Sequence, residues 1–62
     1  MKKYRLRDLQ TGEDIPGVYY SLKDARQAAK SLSVNLRLKG VIILINRGNE
    51  DDDYTLYSIV YS

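Results

Sequence analysis

The sequence predicts an α+β fold: a three- to four-stranded, mostly antiparallel sheet with one helix on one face, in the order ββαββ or βαββ. Three observations predict it. One segment, beginning at Ser21, carries apolar residues at helical spacing behind a capping serine. Three others, Tyr4–Leu9, Val41–Ile45 and Tyr54–Tyr61, alternate or are rich in β-branched and aromatic residues. Turn-forming residues, among them Gly12, Pro16-Gly17 and Gly48, separate these segments. No repeat, low-complexity stretch or linker divides the chain, so residues 1–62 read as a single small domain.

The first strand places Tyr4, Leu6 and Asp8 on one face and Arg5, Arg7 and Leu9 on the other, with a bulge or end expected at Leu9. Gln10-Thr11-Gly12-Glu13 supplies a turn in which Gly12 takes positive φ. Ile15-Pro16-Gly17-Val18 reads as a type II turn, and Val18-Tyr19-Tyr20 as a short extended piece against the first strand. Ser21 then caps a helix, its hydroxyl accepting from a first-turn N–H, with Asp24 near the positive end of the dipole. Leu22, Ala25, Ala29 and Leu32 form the apolar stripe, and the alanines let the helix lie close to the sheet. Ser33-Val34-Asn35 closes it. Leu36-Arg37-Leu38-Lys39 alternates as an extended segment, and Gly40 reads as a bulge or bend before the central strand Val41–Ile45. Asn46-Arg47-Gly48-Asn49, with Glu50-Asp51-Asp52-Asp53, makes a polar hairpin loop before the last strand.

Composition narrows the chemistry. Without Cys or His the chain offers no disulfide, no thiolate and no imidazole base. A cytoplasmic location fits the lack of cysteine. The longest apolar run is Val41–Ile45, far short of the roughly 20 residues of a membrane span, and no signal peptide is expected. Charge is uneven. Residues 1–40 hold nine Lys/Arg and four Asp/Glu, a net of +5, whereas residues 41–62 hold one Arg and four acids, a net of −3.

Both sides of the last hairpin are apolar. Val41, Ile43 and Ile45 face one way and Ile42 and Leu44 the other. Strict alternation puts Tyr54, Leu56 and Val60 on one side of the last strand and Tyr57, Ile59 and Tyr61 on the opposite one. One helix covers one face only, so Ile42, Leu44, Tyr57, Ile59 and Tyr61 are expected as a protein-binding surface. Six Tyr with no Phe or Trp suit such an amphipathic surface. A small domain gains most from a second copy, so the leading expectation is a non-enzymatic homodimer or a module for another protein, acting as a small accessory or inhibitory factor. The competing expectation is that residues 10–20 fold over this face and complete a monomeric core.

The alternative function is nucleic-acid binding. Arg5 and Arg7 would join Tyr57 and Tyr61 on the open face, or Lys23, Arg26 and Lys30 would form a basic stripe on the helix, with Arg37 and Lys39 nearby. The modest net charge of +2 and the acidic run argue against duplex binding. The step from Tyr19-Tyr20 into Ser21-Leu22-Lys23-Asp24-Ala25-Arg26 resembles the strand-to-helix step in the arm-binding domains of phage-type integrases, over a stretch that any capped, alanine-faced helix would match; no family property is carried over from it. No enzyme is expected: Asp8, Glu13 and Asp14 read as solvated turn acids, and Ser21 as a helix cap. The acidic run lacks the ligand spacing of an EF-hand loop, so no metal site, cofactor or small-molecule substrate is expected.

Overall fold

A computed structural model describes residues 2–48 and 53–61. The elements run β1 (Lys3–Asp8), β2 (Asp14–Tyr19), α1 (Leu22–Asn35), β3 (Gly40–Asn46) and β4 (Thr55–Tyr61), the ββαββ form of the expected α+β fold. The four strands make one antiparallel sheet in the order β2-β1-β3-β4. β1 and β3 are therefore central, and β2 and β4 are the two edges.

Strand register sorts the side chains into cross-strand rows. On the helix side, Tyr19, Tyr4, Ile45 and Thr55 form one row, and Ile15, Leu6, Ile43 and Ser58 the next. Val41 and Val60 pair in a third. Leu6, Val41 and Ile43 are fully buried, and Ala25 and Ala29 of α1 close over them. A methyl side chain at both helix positions lets the backbone approach the sheet, so the small alanines set the distance between the layers.

Ser21 caps α1 as expected: its Oγ accepts from the Asp24 backbone N–H at 3.1 Å. The other end of the helix departs from expectation. Leu36–Lys39 is not an extended segment. Leu36 is the C-cap, the Arg37 N–H donates to the Val34 carbonyl at 3.3 Å, and the Leu38 N–H donates to the Ser33 carbonyl at 2.9 Å. These are the two bonds of a Schellman closure, and Arg37 occupies its left-handed position at φ 54°. The alternation in Leu36–Lys39 arises because Leu38 turns inward to seal the helix end against the core while its neighbours stay in solvent.

Pro16 and Gly17 also behave differently from expectation. They lie inside β2 rather than in a turn between elements. Pairing passes from Leu6–Ile15 to Tyr4–Tyr19, so Pro16, Gly17 and Val18 stand opposite Arg5 alone. An edge strand tolerates this: Pro lacks only an outward N–H, and Gly17 takes φ 124° within the bulge. Residues 14–19 thus extend the sheet at its far edge and do not cover the β3–β4 half, against the expectation of a loop folded over that face.

Gly40 begins β3 and is no bulge. Leu9, just past β1, donates its N–H to the Gly40 carbonyl at 3.1 Å. A Cβ on Gly40 would stand 2.7 Å from Leu9 Cδ2 and 3.2 Å from the Val60 carbonyl oxygen, so the missing side chain makes room for Leu9. Gly12 turns the β1–β2 connection at φ 76°, as expected. Of the expected polar hairpin loop, Asn46 to Asp53, the residues Asn49 to Asp52 lie outside the described residues. Asn46 Oδ1 accepts from the Gly48 N–H at 2.9 Å where that connection begins.

Candidate protein-binding face

The face of the sheet away from α1 has an uneven character that follows from strand order. One row, Asp14–Arg7–Ile42–Ile59, crosses all four strands; a second, Arg5–Leu44–Leu56, crosses three. The β2–β1 half of this face is charged and the β3–β4 half is apolar.

On the charged half, Arg7 Nε donates to Asp14 Oδ1 at 2.8 Å. Both side chains are substantially exposed. The hydrogen bond from Arg7 holds the Asp14 carboxyl below the usual aspartate range, against an opposing desolvation effect and with further help from the positive charges of Arg7 and Arg5. The Arg5 guanidinium carbon stands 5.9 Å from the centre of the Tyr54 ring, within cation–π range. Arg5 Nε is buried without a hydrogen-bond partner.

On the apolar half, Ile42 and Ile59 are half-buried, and Leu44, flanked by Arg5 and Leu56, is 8% exposed. Leu56 is 61% exposed and Tyr61, opposite Gly40, is 71% exposed. Four of the five residues expected at a protein-binding face, Ile42, Leu44, Ile59 and Tyr61, therefore hold register positions on this side of the sheet. Tyr57 does not. Ile43 pairs with Ser58 and Leu44 with Leu56, so Tyr57 is the extra residue of a β-bulge. Its ring lies edge-on to Tyr4, a member of the helix-side core. The same bulge reverses the parity of the strand's first residues, so Leu56 joins the open face although alternation assigns it to the other side. No glycine or proline in Thr55–Tyr61 announces the bulge.

The two basic arrangements fare differently. Arg5 and Arg7 share the open face, but each engages a neighbour of its own and Tyr57 is elsewhere. Lys23, Arg26 and Lys30, with Leu22 and Gln27, line one shallow depression of about 350 Å³ on the outer side of α1. Asp8 accepts from the Gln10 N–H at 2.8 Å and acts locally in its turn. Among the described residues no three metal-ligating side chains cluster, and no helix is long and apolar enough to cross a membrane. Comparison with known proteins finds no matching family model, no similar curated protein and no similar solved structure.

Proposed function

We propose that this chain is a non-enzymatic protein-binding module that forms a homodimer through its β3–β4 hairpin and serves as a small accessory or inhibitory factor. The observation that carries the reading is the open face of the β3–β4 half, which no second layer covers among the described residues and where Leu56 and Tyr61 stand largely in solvent beside Ile42, Leu44 and Ile59. Exposed apolar surface of this kind costs solubility unless another molecule covers it. Tyr61 suits the task, since its ring buries area while its hydroxyl stays wet.

Sedimentation equilibrium or light scattering across the micromolar range tests the reading. A reversible dimer is expected. Leu56→Lys, at an exposed position outside the core, is expected to shift it toward monomer while leaving the far-ultraviolet spectrum unchanged. A monomer throughout that range overturns the reading.

The grouping of Lys23, Arg26 and Lys30 around one depression favours a second reading, in which the outer side of α1 binds the backbone of a nucleic acid. Binding of short oligonucleotides at low salt, weakened by Lys23→Ala with Lys30→Ala, is its expected result. No binding at low salt ends it.

A further inference from the structure

The two edges of the sheet are built differently. β2 carries an acid at Asp14, the ring of Pro16 and a bulge of two extra residues, all devices that stop an edge from pairing with another strand. β4 reads Thr55-Leu56-Tyr57-Ser58-Ile59-Val60-Tyr61, with no charge and no proline, and its single bulge falls at Tyr57, leaving Ser58–Tyr61 regular. Alternate residues of such a strand point their N–H and C=O groups away from β3. Among the described residues no strand lies on that outer edge. A groove of about 300 Å³ lies between α1 and the end of β4, lined by Lys30, Ser33, Val34, Val60 and Tyr61, with Val34 74% exposed.

We infer that the outer edge of β4 pairs antiparallel with β4 of a second copy of this chain, joining two four-stranded sheets into one of eight strands. The inference rests on the homodimer proposed above and names its geometry. An antiparallel pair of identical strands is self-complementary about a two-fold axis, so one surface serves both partners. Charge selects the same occupant. β4 begins two residues after Asp53 and ends opposite Gly40, which follows Arg37 and Lys39. Arg47 and Lys3, the latter paired with Asn46, also stand toward this end, so the complementarity rests on Asp53 next to β4 itself. Antiparallel pairing sets Asp53 of each copy toward Arg37 and Lys39 of the other. The junction also joins the two apolar halves of the open faces, bringing Leu56, Ile59 and Tyr61 of both copies to the centre and leaving the charged β2–β1 halves outermost.

Single-cysteine variants of the full chain test this, since the native sequence contains no cysteine. Spin labels are placed at Ser58→Cys, within β4, and in a separate protein at Val18→Cys, within β2. Strands are spaced about 4.8 Å apart, so edge pairing puts the two Ser58 labels within roughly 20 Å and the two Val18 labels roughly 30 Å or more apart. If the label at half-buried Ser58 prevents folding, Thr55→Cys, exposed at the start of β4, takes its place, with an expected backbone separation of about 20 Å. A dimer whose Val18 pair is the closer overturns edge pairing while leaving self-association intact. A protein that stays monomeric overturns both. Charge exchange supplies a second readout: Lys39→Glu is expected to weaken the dimer roughly threefold, and adding Asp53→Lys to restore it. A dimer that the second change does not restore overturns the antiparallel end-to-end arrangement.

Discussion

Tyr57 meets Tyr4 edge to face, with ring centroids 6.1 Å apart and planes at 86°, although the two belong to strands that do not touch. The contact reaches across β3 and ties an edge strand to the core. Pairs of this geometry contribute about 0.5–1.5 kcal/mol beyond the area they bury. A double-mutant cycle of Tyr4→Leu and Tyr57→Leu, read by urea denaturation, is expected to return a coupling energy in that range. Coupling near zero would mean that Tyr57 faces solvent and that the bulge does not turn it inward.

Gly40→Ala should destabilise the fold. The added methyl meets Leu9 Cδ2, which can swing aside, and the Val60 carbonyl, which is part of the β3–β4 ladder and cannot. The expected loss is about 1–2 kcal/mol, the scale of modest overpacking. Gly40→Ala combined with Leu9→Ala should recover part of it, leaving the backbone contact as the remainder. Thermal melts of both variants provide the comparison.

Arg37→Gly should stabilise. A non-glycine residue in the left-handed region costs roughly 1–2 kcal/mol, and glycine's extra freedom in the unfolded chain returns part of that. The net expectation is a gain of about 0.5–1 kcal/mol, visible as a rise of several degrees in Tm for a chain of this size. Arg37→Asn, which tolerates the same conformation, should also gain, separating backbone relief from the particular chemistry of glycine.

The Arg7–Asp14 pair predicts a pH effect of known sign. Asp14 titrates lower in the folded chain than the ordinary aspartate value of 3.8. Its contribution to stability is therefore present above the unfolded value and disappears as pH falls through the lower, folded value. Both partners are exposed to water, so the effect should be small and should shrink further in salt. Carboxyl carbon shifts followed by NMR should show the Asp14 midpoint moving upward in Arg7→Gln. An unchanged midpoint would show that the hydrogen bond at 2.8 Å does not persist in solution.

Much of the architecture was legible because it rests on short-range rules. A serine cap and an alanine stripe define α1, and β-branched residues define β3. Four of the five proposed contact residues could be placed because alternation holds through Ile42, Leu44, Ile59 and Tyr61. Tyr57 and Leu56 lie on other sides than alternation predicts, because a bulge skips one partner and strict alternation carries no sign of it. The extended piece expected at Val18-Tyr19 does pair with β1, whereas Ile15-Pro16-Gly17 reads as a turn because Pro-Gly suits both settings, and only the open edge of β1 draws it into β2.

Local chemistry along the chain was enough to specify one helix, its cap, the strands and an apolar surplus in the last hairpin. Covering area is a matter of composition and period, and both are written in one dimension. Which residues carry that surplus outward depended on pairing across space. The bulge at Tyr57, the left-handed turn at Arg37 and the void that Leu9 fills over Gly40 arise when strands already positioned by the core must meet in register. A residue's partner sets its direction there, and that partner lies far away in sequence.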